Sequence, residues 1–313
     1  MSAAPIPSTP AHAAHAGRAR ALLLLLGVVW GLNWPAVKVA LSGVSPWGLR
    51  SIGLGAAACT VFALGFARGR PMAVRAGRDR LHIAVAGVLN VAAFNILLTF
   101  AQLGAATSRV AIITYSMPLW AVLFARIALG ERLDRVRAAG LLLGACGLAV
   151  LLAPLAEGGL PRGILFALAA ALTWAAGTIY TKWARISVEP LAVAGWQLLI
   201  GALVALTGLL SFEGMPHWPQ WSMVHREVLV AVAYHIVFGM ALGYVLWFNI
   251  INRMPAGVAS LGTLLVPVVG VTGAVLLLGE RPGLSDLGGF ALIFCAALCV
   301  LLPSGIPRRR RAR

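Results

Sequence analysis

The sequence predicts an all-α membrane protein of ten transmembrane helices arranged as two inverted five-helix repeats. Three observations carry that expectation. Hydrophobic residues make up 60% of the 313 positions and charged residues only 11%. Ten apolar runs each approach the ~20 residues that let a helix cross about 30 Å of hydrocarbon. A set of residues also recurs at a fixed offset in the second half. Soluble domains carry charge on about a quarter of their residues, so the composition excludes a water-soluble globular fold. A β-barrel would alternate apolar and polar residues over segments of roughly ten. These runs are apolar on all sides and rich in Leu, Ala and Gly.

In chain order, residues 1–20 are rich in Ala, Pro and His and are expected to be a disordered cytoplasmic segment. The first run, 21–41, follows Arg18 and Arg20 as a signal peptide would. No small-x-small cleavage pattern precedes WGLNWP, so it is read as a span. The second, 46–67, opens on Pro46 and carries Arg50. The third, 82–103, places Asn95, Thr99 and Gln102 at i, i+4 and i+7, on one helical face. The fourth, 107–129, has Pro118 near its centre, and the fifth is 137–155. The sixth, 163–183, contains WAAGTIYTK, an echo of WGLNWPAVK in the first, and the seventh, 190–211, opens on Pro190. The eighth, 229–251, lines up His235, Gly239, Gly243 and Trp247 in steps of four. The ninth, 256–278, carries Pro267, and the tenth is 284–303, before a basic tail at 304–313.

A net charge of +16 could point to nucleic acid, but its distribution gives another cause. With a cytoplasmic N-terminus, 18 of the 25 Lys and Arg fall on the inner side and 4 (Arg109, Arg162, Arg226 and Arg281) on the outer, with Lys38, Arg50 and Arg126 inside spans. This is the positive-inside asymmetry of a multi-pass protein of the cytoplasmic membrane with both termini inside. Nucleic acid is therefore not an expected partner.

The repeat fixes the organisation. Trp30 and Trp174, Lys38 and Lys182, and Pro46 and Pro190 are each 144 positions apart. Thr114 and Thr263, Pro118 and Pro267, Gly130 and Gly279, Glu131 and Glu280, and Gly140 and Gly289 are 149 apart. The halves are 21–155 and 163–303. Five is odd, so the second half enters from the opposite face, and inverted repeats of this kind characterise secondary transporters with a site near the bilayer midplane.

These residues resemble the drug/metabolite transporter superfamily, in its ten-helix EamA-type members. The likeness rests on Trp-Gly-x-Asn with a Lys eight residues after the Trp, on Pro46 with Arg50, and on helices 4 and 9 with a central Pro and a Gly-Glu-Arg ending. It implies a carrier of small metabolites, often an exporter, without fixing the cargo. Ala194 stands where a mate of Arg50 would map.

The candidate substrate contacts follow from polar or aromatic groups that lipid cannot satisfy. Pro118 and Pro267 cannot donate to the carbonyls of Thr114 and Thr263, and Pro35 leaves that of Gly31 free. These three prolines are candidate hinges. Asn33, beside that gap, is the first candidate for a substrate contact, with Asn95, Thr99 and Gln102 on the third span. His235 lies well inside a span, where an imidazole can carry protons, or simply be neutral and hydrogen-bonded. Trp30, Tyr115, Trp174, Tyr244 and Trp247 could form aromatic walls for an apolar or cationic cargo. Trp47, Trp218 and Trp221 suit interfacial anchoring.

Lys38, Arg50 and Lys182 are charges at or near span ends. The lysines are placed to snorkel, and Arg50 either to attract an anion or to lock helix 2 onto a neighbour. None of the nine Asp and Glu lies deep in a span, so no carboxylate proton relay is expected. Glu131 and Glu280, beside Arg132 and Arg281, are expected to tie loops structurally. Cys59, Cys146, Cys295 and Cys299 fall inside spans as small fillers, and neither metal nor cofactor is expected. The expected partners are a small-molecule substrate and the bilayer, and a homodimer is compatible with the sequence. HExxH, GxSxG and P-loop patterns are absent, which argues against an enzyme or an ATP-driven pump. A channel or a membrane binding protein of the same fold is the alternative.

Overall fold

A computed structural model describes residues 10–75, 77–131, 133–155, 159–214, 225–251 and 263–301. Every regular element among them is helical. Among the described residues eight helices are long and apolar enough to cross a membrane, and two further apolar helices are shorter. In order they are α1 (Pro10–Ala40), α2 (Pro46–Ala67), α3 (Arg78–Gly104), α4 (Thr107–Thr114 with Met117–Leu129), α5 (Arg135–Leu152), α6 (Arg162–Ala184), α7 (Pro190–Glu213), α8 (226–251), α9 (Leu265–Leu278) and α10 (Leu284–Leu301). The expected start of the ninth span, and Trp218 and Trp221, lie outside the described residues.

The first turns of α1 are residues 10–20. AHAAHAGRARA is rich in alanine, the best helix former, and Pro10 occupies the first helical position, where its missing N–H costs nothing. At α2, Ser45 caps the first turn by accepting from the Gly48 N–H at 3.3 Å, and Pro46 follows.

The prolines act differently from one another. Pro35 sits inside an unbroken α1. At Pro118 the helix breaks: α4 stops at Thr114, turns through Tyr115 and Ser116, and restarts at Met117. Pro118 then falls in the first turn of the new segment, where an absent N–H is tolerated. Pro267 holds the corresponding place near the start of α9, after a turn at Thr263 and Leu264. Both α4 and α9 end on a left-handed glycine, Gly130 (φ 66°) and Gly279 (φ 67°), the residue that reaches this conformation without a Cβ clash.

Packing follows small residues. The backbones of α5 and α10 approach at Gly147 and Gly289, where an added Cβ would stand 3.1 and 3.0 Å from the facing glycine's carbonyl oxygen. α2 lies along α7, α1 along α9, and α6 along α4. One apolar cluster joins Trp34, Ile112, Ile164, Val266 and Ile293. A second joins Leu54, Val61, Val91, Leu198 and Met240.

Candidate functional site

Where α1, α2, α3 and α8 meet, polar side chains replace the aliphatic ones. Arg50, one turn into α2, is only 2% exposed. Its Nε donates to the Thr99 hydroxyl and its Nη1 to Asn95 Oδ1 at 3.3 Å. Both acceptors are aimed by their own helix. The Asn95 amide nitrogen donates to the Val91 carbonyl at 2.9 Å, which leaves Oδ1 facing α2. The Thr99 hydroxyl donates to the Asn95 carbonyl at 2.8 Å, which leaves its lone pairs for the guanidinium. Arg50 thus locks α2 to α3 through side-chain oxygens, with its side chain buried in the bundle. Among the described residues its Nη2 has no acceptor, and no carboxylate pairs with it.

His235 completes the cluster from α8 and is fully buried. Its Nδ1 lies 2.9 Å from Asn33 Oδ1 on α1. With the amide oxygen accepting, Nδ1 carries the proton and Nε2 is a lone pair. Among the described residues that buried Nε2 has no partner. It lies against Gly53, three residues after Arg50 and so on the same face of α2. The backbone loosens here: α3 widens into a π-helical stretch at Val88–Ala93 and α8 at His235–Leu242. Such stretches recur at functional sites because they re-aim side chains.

Aromatic residues border the cluster. Trp30 donates from Nε1 to the Gly239 carbonyl at 3.0 Å. Its ring lies edge-on to Tyr244 at 6.3 Å and tilted against Trp247 at 5.9 Å. The expected glycine stripe explains the fit, since a Cβ on Gly239 or Gly243 would come within 2.2 Å of Asn33 Oδ1 or Trp30 Nε1.

The other candidates lie apart. Gln102 is buried on the same face as Asn95 and Thr99 but donates to the Trp34 carbonyl at 3.0 Å. Tyr115 packs on Trp34, 6.4 Å between rings, a partner the sequence did not single out. Thr114 is buried, its hydroxyl donating to the Val110 carbonyl at 2.7 Å. Thr263 stands half-buried before α9, and Trp174 half-buried on α6.

The lysines differ from one another. Lys38 donates to the carbonyls of Gln102 and Ala105, capping the end of α3 instead of reaching out to water. Lys182 is exposed and pairs with Glu131. Glu131 and Glu280, at the ends of α4 and α9, each reach other helices. Glu131 meets Lys182 and Arg137, and Glu280 accepts from the Thr107 and Ser108 N–H groups at 2.6 and 2.8 Å. A carboxylate there offsets the positive end of α4. Sequence inspection missed the bidentate pair of Arg109 with Asp286, at 2.7 and 2.9 Å. It also missed His82, which is buried between Arg78 and the Tyr180 hydroxyl.

Two grooves, of about 230 and 440 Å³, lie at α1–α9 and α2–α7 and are lined almost wholly by apolar side chains. Neither is lined by Arg50 or His235, so the polar cluster is closed off from both. Among the described residues no group of three or more His, Cys, Asp or Glu could hold a metal. Cys59, Cys146 and Cys295 are exposed and unpaired.

An apolar helical bundle with buried polar and charged groups at its centre defines a multi-pass membrane transporter rather than a passive anchor. The EamA-like transporter family matches the chain twice, over residues 18–153 and 161–302, and the chain belongs to that family. A "Probable amino-acid metabolite efflux pump" of Salmonella typhimurium is 28% identical over 303 residues, covering 93% of this chain and 97% of its own. A "Probable terminal-alkyne amino-acid exporter" of Streptantibioticus cattleyicolor is 27% identical over 298 residues, covering 93% and 95%. A solved crystal structure superposes with a TM-score of 0.61 at 26% identity, covering 90% of this chain and 96% of that one.

Proposed function

We propose that this protein is a secondary transporter that exports a small metabolite of the amino-acid class across the cytoplasmic membrane by alternating access. It works as a ten-helix inverted repeat with both termini in the cytoplasm. The observation that carries this reading is the closed polar cluster of Arg50, Asn95, Thr99, His235 and Asn33, held where helices of the two family matches meet. Burying such groups in a membrane bundle is costly, which is why they tend to mark substrate pathways.

Packing supports the repeat. α1 touches α8 and α9, α6 touches α3 and α4, α2 touches α8, and α7 touches α3. Exchanging α1 with α6, α2 with α7, α3 with α8 and α4 with α9 maps these contacts onto one another. The π-helical stretches of α3 and α8 and the glycine ends of α4 and α9 exchange likewise. A twofold bundle of this kind opens to either face by rocking one half against the other. The names of the two relatives support the cargo class.

Protein reconstituted in liposomes tests the proposal. Saturable uptake of an amino acid, accelerated by unlabelled amino acid on the far side, is the expected result. Flux that does not saturate would point to a channel. No flux across amino acids, amines and drug-like compounds would overturn the proposal.

A further inference from the structure

Resting on that reading of the central cluster as the substrate site, we infer that Arg50 is the anion anchor of the site and that the cargo must carry a carboxylate. The argument begins with an imbalance. Arginine keeps its proton in any protein setting, so burial at 2% exposure places a full positive charge inside the bundle. A buried charge is ordinarily matched by an opposite one, because neutral hydrogen-bond partners repay only part of the lost hydration.

The partners here are neutral: one hydroxyl and one amide oxygen. Of the nine acidic residues in the chain, eight are described, and none of these eight pairs with Arg50. The second repeat supplies no balancing group at the matching place, which is Ala194. Two of the five guanidinium donors are used, and they are the ones that fix the plane of the fork. Nη2 keeps both its protons, and Nη1 one, for a planar, bidentate acceptor.

Neighbouring groups suit the rest of an amino acid. One turn along the same face of α2, His235 Nε2 offers a buried lone pair with no donor to meet. An ammonium group supplies such a donor. The Trp30 and Tyr244 rings beside it offer apolar and π surface to a side chain. A zwitterion set on Arg50 and His235 would give the buried guanidinium a carboxylate partner only when loaded, the net charge of the bundle staying as it was. That gives the cargo control over which closed state is stable, since a ligand shifts a conformational equilibrium by its difference in affinity for the two states.

The test is counterflow in proteoliposomes with the twenty proteinogenic amino acids, followed by competition with the amide of each transported one, L-phenylalaninamide for L-phenylalanine. In the wild-type protein the amide, identical but for the carboxylate, should compete about tenfold more weakly or worse. Arg50→Gln should abolish this preference, and Arg50→Lys should keep part of it, having the charge without the fork. The wild-type comparison does not depend on the variants folding. An amide that competes as well as its acid, or an Arg50→Gln protein that keeps the preference, overturns the assignment while leaving transport intact. Movement of carboxyl-free amines with no counterflow of any amino acid does the same. Absence of all flux removes the transporter reading and this inference with it.

Discussion

His235 is held on one side and bare on the other: Nδ1 meets Asn33 Oδ1 at 2.9 Å, while a β-carbon on Gly53 would stand 2.7 Å from Nε2. The ring therefore closes the α1–α8 contact and at the same time requires glycine on α2. Gly53→Ala should push the ring off Asn33 and destabilise the protein by about 1–3 kcal/mol, the usual cost of overpacking. Removing the ring should relieve the clash, so the Gly53→Ala/His235→Ala pair should cost less than the sum of its parts. Thermal unfolding in detergent reads this out, and simple additivity would show that the contact is looser than the geometry requires.

Much of the fold was legible in the sequence because membrane spans announce themselves by composition, and repeats by fixed offsets. The geometry of the candidate cluster was legible in part. Asn95, Thr99 and Gln102 share a face by helical spacing alone, yet Gln102 turns to Trp34 and only the other two turn to Arg50. Spacing fixes a face; the identity of the helix across from it is a tertiary fact. Arg50 lies one turn from a helix start, which suggests a span end, and its burial depends on how α3 and α8 lie over it. The missing mate at Ala194 was the one sequence signal that set Arg50 apart. The role of Gly53 carried no signal, because a glycine that makes room for a distant ring looks like any other small residue in a membrane helix.

Lys38 and Lys182 occupy matching places in the repeat and do different work. Lys38 is partly buried and donates to two carbonyls at the end of α3, groups that have no intrahelical partner. Lys182 is exposed, and its pair with Glu131 is screened by water. Lys38→Ala should therefore destabilise the protein by about 1 kcal/mol or more, since it strands buried acceptors. Lys182→Ala should stay within about 0.5 kcal/mol of wild type. Unfolding midpoints of the two variants under one condition decide the matter, and equal losses would mean that the cap on α3 is replaced by water.

The proposed inverted arrangement makes a prediction about sidedness that does not depend on transport. Ser42 lies just after α1 and Ser187 just after α6, both exposed, so five helices separate them. An odd number of crossings must place them on opposite faces. In a protein whose Cys59, Cys146, Cys295 and Cys299 are replaced by alanine, Ser42→Cys should react with an impermeant thiol reagent on intact cells. Ser187→Cys should react only once the membrane is opened. The basic residues agree with this orientation, since Lys182 and Arg185 flank the inner position and the segment at Ser42 carries no cation between Lys38 and Arg50. Labelling of both from outside would leave an even number of crossings between them, and α1 and α6 could not then be mates in a repeat turned upside down. The exchange of packing contacts would in that case reflect two halves laid side by side in the same direction, with no midplane seam for Arg50 and His235 to serve.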